Sequence, residues 1–143
     1  MDFELIFSIA GILAMLGWVG LVFSPFMPVL SDRLSGYGIP LVLALGYCGL
    51  LLLNPVEKGG FGSLEDVGLL FTNPASLLAG WAHFLAFDLV VGAWICRTGR
   101  KEGIKFWMIL PCLPVTFLFG PAGFLLFTLI RFAHRNLFKA AAS

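Results

Sequence analysis

The chain has 143 residues, the length of one domain, and its composition is typical of a membrane protein. Hydrophobic residues make up 59% and charged residues 12%, against about 45–50% and 25% in soluble domains, and the mean hydropathy is +0.98. So little charge cannot cover a water-facing surface, which excludes soluble enzymes, and a net charge of +1 offers no basic face for nucleic acid.

Four uncharged runs predict the transmembrane helices, because each has at least the roughly 20 residues that a membrane helix needs. We expect spans at about 5–27, 36–54, 74–96 and 104–130, in a single membrane domain over residues 1–143. The predicted fold class is therefore all-α, an integral membrane four-helix bundle with short loops.

Local signals define several boundaries. Asn54 followed by Pro55 is expected to end the second helix. Residues 63–66 have the form of a capping box, which predicts a short interfacial helix at 63–71 in the loop between spans two and three. Asn73 followed by Pro74 resembles an N-cap with proline at the first helical position, which opens the third helix.

The fourth run contains Pro111, Pro114 and Pro121, so its helix is expected to be kinked by these prolines. Two topologies stay open for it. A single crossing gives five basic residues on one side of the membrane and four on the other, whereas a re-entrant hairpin with its tip at residues 120–121 gives eight against one. Because 25 residues are too few for two full crossings, the single crossing is preferred.

The third helix carries two polar residues, His83 and Asp88, deep inside the predicted membrane slab. An intramembrane aspartate costs about 2.5–3.5 kcal/mol on insertion scales and usually marks function. Asp88 is therefore a candidate acid or base, and its alternative is a neutral carboxyl that hydrogen-bonds to a neighbouring helix. His83 is a candidate proton-transfer partner, although five residues at 100° each separate the two by about 140° around the helix.

Aromatic residues are abundant, with 15 Phe and 4 Trp in the chain. Some of them are expected to face lipid or to form interfacial belts. An aromatic groove between helices would nevertheless suit a long apolar ligand. The candidate substrate-binding residues are Trp81, Phe84, Phe87, Phe117 and Phe119.

Cysteines and other metal ligands are sparse. Cys48, Cys96 and Cys112 form no CxxC pair, and too few Glu and His residues lie in the spans for a di-metal centre. We therefore expect no metal site and no other cofactor.

Two segments carry a family resemblance. Residues 78–95, which contain the pattern AGWAHFLAFDLVVGAW, and residues 110–123, LPCLPVTFLFGPAG, resemble the signature of the abscisic-acid-deficient-four-like family of small four-span membrane proteins. Residues 60–64 extend the likeness, which covers most of 55–130. The family includes many bacterial members, and its plant members are linked to the conversion of violaxanthin, a carotenoid epoxide, to neoxanthin, an allene.

The resemblance implies an isomerase of the neoxanthin-synthase type that acts on a carotenoid or related isoprenoid. His83 and Asp88 are the polar positions of the matching motif and Trp81 lies beside them, so the acid/base chemistry falls to these two residues. The implied membrane is a bacterial inner membrane, or a plastid membrane in a plant or alga.

A second function stays open beside the isomerase. The chain could be a non-catalytic subunit that binds a carotenoid or lipid and stabilises another enzyme. The expected partners are a carotenoid or other long apolar ligand, membrane lipids, and either further copies of the chain or a partner membrane enzyme.

Overall fold

The fold is helical throughout the part of the chain that the computed structural model describes, residues 1–56 and 58–141, with side chains as far as residue 137. No strand occurs within these ranges. The prediction of an all-α membrane protein is confirmed, because three of the helices are long and apolar enough to cross a membrane.

The three long helices lie close to the predicted spans. Helix α1 is Phe3–Val22. The second span, Pro28–Leu53, joins helix α2 (Pro28–Arg33), a π-helical turn at Leu34–Gly38 and helix α3 (Ile39–Leu53) into one continuous helix. It begins at Pro28, before the predicted residue 36, because proline is favourable at the first helical position.

Helix α4 (Leu64–Phe71) and helix α5 (Pro74–Lys101) follow the cap signals. The Ser63 hydroxyl accepts a hydrogen bond from the Asp66 amide at 3.0 Å, as the predicted capping box requires. The Asn73 side-chain oxygen accepts from the amides of Ala75 and Ser76 at 2.9 and 3.2 Å. The sequence prediction of a short helix before the third span is confirmed in this geometry.

The fourth uncharged run differs from the predicted single kinked span. It forms helix α6 (Phe106–Ile109), helix α7 (Cys112–Leu118) and helix α8 (Gly120–Ala141), and the chain reverses at Phe119, whose φ and ψ are −146° and 70°. Gly123 of α8 packs on the backbone of Thr116 in α7, so the two helices form a hairpin. We name residues 106–130 the re-entrant hairpin.

Both ends of the re-entrant hairpin lie at the C-terminal end of α5. The guanidinium groups of Arg131 and Arg135 bind the carboxylate of Glu102, which directly follows α5. A hairpin arm of 13 residues, Phe106–Leu118, extends about 20 Å, half the length of the 28-residue α5. The hairpin therefore extends about halfway along α5 and returns to the end from which it started.

This topology collects the basic residues at one end of the molecule. Eight of the nine lysine and arginine residues lie at the end of α2 (Arg33), at the end of α5 and in the turn that follows it, and in α8 beyond the hairpin; Lys58 lies in the loop before α4. Under the positive-inside rule this distribution predicts that the eight-residue side is cytoplasmic.

Small residues bring α1 close to α5, and the main core lies among α1, α3 and α5. A Cβ atom added at Gly17 of α1 would lie 2.8 Å from a methyl group of Leu89. One added at Gly92 of α5 would lie 3.0 Å from the ring of Trp18. The close approach fixes α5 as the central helix, with α1, α3 and the re-entrant hairpin around it.

Candidate functional site

Asp88 lies at the tip of the re-entrant hairpin. It is 7% exposed, and its side-chain oxygen Oδ1 contacts Gly120, the first residue of α8. A rise of 1.5 Å per residue puts Asp88 about 20 Å from either end of α5, at the middle of the span. The carboxyl group thus lies against the first turn of α8.

No hydrogen-bond partner satisfies the Oδ2 atom of Asp88 among the described residues, although the atom is buried. Buried polar atoms normally have a partner, and an intramembrane carboxyl without one is costly. The alternative role of Asp88, a hydrogen bond that joins two helices, requires a partner that the described residues do not supply to this oxygen.

Small and aromatic contacts hold the hairpin on α5 on the side of Asp88 nearest Lys101. A Cβ atom added at Gly99 would lie 3.0 Å from Ile109, so α6 packs closely there. The ring of Trp94 lies 5.3 Å from that of Phe124 and 5.2 Å from that of Phe127, between centroids. These contacts end at Asp88, where the hairpin turns.

An aromatic surface continues along α5 beyond the hairpin tip. Trp81 stacks on Phe84 with ring centroids 5.5 Å apart and on Phe7 of α1 at 5.7 Å. Trp81 also borders a cavity of about 380 Å³ between the N-terminal ends of α1 and α5. We name Phe7, Trp81 and Phe84 the aromatic shelf.

The two aromatic residues predicted on the fourth run lie near the hairpin turn. Phe117 makes an edge contact with Trp18 of α1, with centroids 5.6 Å apart. Phe119 is 65% exposed at the turn itself. Phe117 and Phe84 both pack on the main core.

His83 faces a different neighbour from Asp88. Its ring lies 5.7 Å from the Tyr47 ring of α3 and stacks on Phe87 at 4.6 Å. His83 also lines a cavity of about 390 Å³ beneath α4, which Asp88 does not line. The two polar residues are therefore separated around the helix as their spacing predicts, and the catalytic role of each stays a prediction.

Of the seven predicted site residues, the structure brings Asp88, Trp81, Phe84, Phe117 and Phe119 to the hairpin side of α5 and leaves His83 and Phe87 on the α4 side. No three His, Cys, Asp or Glu residues come together to form a metal site in the described ranges.

Comparison with known proteins agrees with the resemblance carried by residues 78–95 and 110–123. The model of the ABA4-like family, described as ABA DEFICIENT 4-like, matches residues 5–127. The chain belongs to the ABA4-like family. No curated protein and no solved structure matches it.

For this ABA4-like chain, sequence reasoning kept a hairpin tip at residues 120–121 open but missed the contacts that its glycines make. Gly120 leaves room for the Asp88 carboxyl, and Gly123 leaves room for Thr116, because a Cβ atom at either position would overlap its neighbour. The GPAG pattern at 120–123 was a usable signal for a tight helix–helix turn. The contact with Asp88, 32 residues earlier, had no sequence signal.

The ion pairs at the basic end were also missed. Glu102 accepts hydrogen bonds from Nε of Arg131 at 2.7 Å and from Nη2 of Arg135 at 2.7 Å, and these bonds lower the Glu102 pKa from 4.5 to about 2. Asp32 of α2 pairs with Arg100 of α5 at 2.6 Å. The pairs connect α2, α5 and α8 at one membrane surface.

Proposed function

We propose that this ABA4-like protein is an intramembrane isomerase that converts a carotenoid epoxide, or a related isoprenoid epoxide, to an allene. The family supports the substrate class, because the resemblance implies conversion of the violaxanthin-to-neoxanthin type. The observation that carries the proposal is Asp88, a buried carboxyl group at mid-membrane depth with an unpartnered oxygen.

The chemistry needs one proton donor and one proton acceptor. The protonated carboxyl of Asp88 gives its proton to the epoxide oxygen, and the carbon–oxygen bond opens to a hydroxyl group. The resulting carboxylate takes a proton from the adjacent vinylic carbon, and the electrons of that bond complete the allene. Asp88 ends protonated as it began, and no oxidant or reductant is consumed.

Asp88 carries both proton transfers in this proposal because His83 lies on another side of α5. The vinylic proton is only a few bonds from the epoxide oxygen, so donor and acceptor must reach nearly the same point. A single carboxyl group with two oxygens meets this requirement. His83 faces Tyr47 and Phe87 and would need a large rearrangement to reach the same atoms.

The aromatic shelf and the hairpin turn offer a surface for the rest of the substrate. Phe7, Trp81 and Phe84 extend from Asp88 toward the start of α5, and Phe119 lies exposed at the turn. Flat aromatic faces suit a rigid polyene. A ligand that arrives from lipid would thus lie along α5 with one end ring at Asp88.

The test is turnover by the purified protein in lipid nanodiscs that contain violaxanthin, with neoxanthin measured by chromatography. Asp88→Asn should lower the rate about 10²–10⁴-fold, as expected for a lost general acid or base. Asp66→Asn, the same chemical change in α4, is the matched control and should leave the rate unchanged. Full activity of Asp88→Asn would exclude the acid/base role.

A second candidate function is a non-catalytic subunit that binds a carotenoid or lipid. The cavity of about 390 Å³ beneath α4 favours it, because this cavity lies away from Asp88. Such a protein, alone or in complex with an enzyme or with further copies of itself, would return violaxanthin unchanged. In that case Asp88→Asn would alter neither pigment content nor pigment identity.

A further inference from the structure

The cavity beneath α4 has the features of a ligand site of its own. Its volume of about 390 Å³ lies within the range of about 300–1,000 Å³ typical of small-molecule pockets. Leu51, Phe61, Leu70 and Phe71 supply apolar walls, and Tyr47, Ser76 and His83 supply polar groups. This combination of apolar walls and a few polar groups is typical of a specific site.

Ser76 gives the cavity an unsatisfied polar group. The residue is 4% exposed, and its hydroxyl oxygen is buried without a hydrogen-bond partner among the described residues. A buried hydroxyl without a partner is unfavourable, and a ligand hydroxyl could supply the missing bond.

His83 and Tyr47 form the opposite part of the lining. Their rings lie 5.7 Å apart, and Phe87 stacks on His83 at 4.6 Å. The described contacts of His83 are thus contacts of its ring face, and its nitrogens can still bond to a ligand. One nitrogen of a neutral imidazole donates and the other accepts, so a hydroxyl group can pair with either.

Helix α4 forms the cover of the cavity. Gly80 of α5 lets the Phe71 ring approach, because a Cβ atom at Gly80 would lie 2.7 Å from Phe71 Cε1. A rise of about 1.5 Å per residue puts Ser76 one turn and His83 about 15 Å below the Asn73 cap. The cavity thus extends from near the membrane surface into the apolar region.

We infer that this cavity binds a hydroxylated hydrocarbon ring, with Ser76 or His83, which lie about 10 Å apart along α5, as the partner of the ring hydroxyl. A ring fits between the aromatic walls. The ring class follows from the cavity alone. That the ring is an end group of an isoprenoid rests on the proposed function.

A matched pair of probes tests hydroxyl recognition. Zeaxanthin carries a hydroxyl on each end ring, and β-carotene has the same polyene and rings without hydroxyls. In titrations of the detergent-purified full chain, with bound pigment measured by absorbance after gel filtration, zeaxanthin should bind about tenfold more tightly, the effect of about one hydrogen bond. Equal binding would mean that the cavity takes any apolar chain, which would overturn the inference.

Two variants assign the preference to this cavity. Ser76→Ala removes the hydroxyl, and His83→Phe keeps the stacked ring but removes its nitrogens. The variant at the residue that bonds the ring should reduce the preference for zeaxanthin to about threefold or less. Ser31→Ala is the control, because Ser31 is also 4% exposed with an unpartnered hydroxyl but lies near Asp32 at the other end of the molecule. A full preference in both Ser76→Ala and His83→Phe would overturn the inference.

Asp88→Asn separates this inference from the proposed function. The tenfold preference for zeaxanthin should survive in Asp88→Asn, because Asp88 does not line the cavity. An intact preference with no violaxanthin turnover in the wild type would refute only the isomerase. Turnover in the wild type without any preference for zeaxanthin would refute only the hydroxyl site.

Discussion

Asp88 and His83 lie five residues apart on α5, but their surroundings differ. Asp88 is 7% exposed beneath the turn of the re-entrant hairpin and has an oxygen without a partner. His83 lies among the rings of Tyr47 and Phe87 beside the cavity beneath α4. The hairpin buries Asp88 from one end of the molecule, whereas His83 is exposed and borders a cavity that α4 covers from the opposite end.

The difference shows how one helix can support two sites. The hairpin covers only the half of α5 between Asp88 and Lys101, and α4 covers part of the other half. A side chain near the middle of α5 therefore contacts either the hairpin or the region beneath α4, according to its direction around the helix. Proton transfer and hydroxyl binding, as proposed above, can thus reside on separate faces of a small protein.

The largest expected effect is a loss of turnover in a double variant of Asp88 and His83, which tests whether the two residues act separately. If Asp88 and His83 act separately, the losses of turnover in Asp88→Asn and His83→Phe should multiply in the double variant, because residues without contact are additive in free energy. Asp88→Asn alone should cost about 10²–10⁴-fold. If His83→Phe alone slows turnover, a double variant no slower than Asp88→Asn would instead join the two residues in one catalytic unit.

Labelling of single cysteines tests whether the re-entrant hairpin and α4 lie on opposite sides of the membrane. Cys48 is the exposed native cysteine, so Cys48→Ala provides the background. A cysteine at Asn136 should react with an impermeant maleimide only from the cytoplasmic side, and one at Asp2 only from the other side, as the eight-to-one charge distribution predicts. Reaction of both from one side would restore four crossings.

Much of this arrangement was predictable because its causes are local. Caps at Ser63 and Asn73 determine the starts of α4 and α5, and both were evident from neighbouring residues. The 140° separation of His83 and Asp88 follows from the helix repeat alone. Their assignment to one acid/base unit came instead from the family resemblance, which carries no information about direction around a helix.

The hairpin could not be assigned from the sequence because its causes are distant in the chain. An uncharged run of 25 residues satisfies the length of one crossing, and prolines are compatible with a kink as well as a turn. The decisive contacts join Gly120 to Asp88 and Arg131 to Glu102, which lie about 30 residues apart. Only the packed structure brings these residues together.

Alanine at the hairpin glycines should weaken the cover of Asp88 more than alanine elsewhere. A Cβ atom at Gly123 would lie 2.5 Å from the Thr116 amide nitrogen and 2.6 Å from its Cα, and backbone atoms cannot rotate away. Gly123→Ala should therefore cost about 1–3 kcal/mol in the free energy of unfolding. Gly46→Ala is the control, since no atom lies within 4 Å of its added Cβ.

Gly120→Ala applies the same measurement, the free energy of unfolding, to the contact between the hairpin turn and Asp88. Its Cβ would overlap Oδ1 of Asp88, so the single variant should lose about 1–3 kcal/mol of stability. Adding Asp88→Ala removes the overlapping carboxyl and should restore part of that loss. No recovery in the pair would show that the hairpin turn does not dock on Asp88.

Low pH should weaken the ion pairs of Glu102 with Arg131 and Arg135, and the resulting loss of thermal stability should be the smallest of the predicted effects. The bonds from Arg131 and Arg135 lower the Glu102 pKa from 4.5 to about 2, so the folded state favours the ionised carboxylate. The stabilisation is complete above pH 4.5 and disappears as the pH falls toward 2, where the folded state also becomes protonated. Exposed ion pairs of this kind contribute about 0.2–1 kcal/mol each.

In thermal unfolding, Glu102→Gln should therefore melt below the wild type at neutral pH, and the difference in melting temperature should disappear between pH 4.5 and 2. A gap that persists unchanged at pH 2 would mean that packing rather than charge holds α8 to the end of α5.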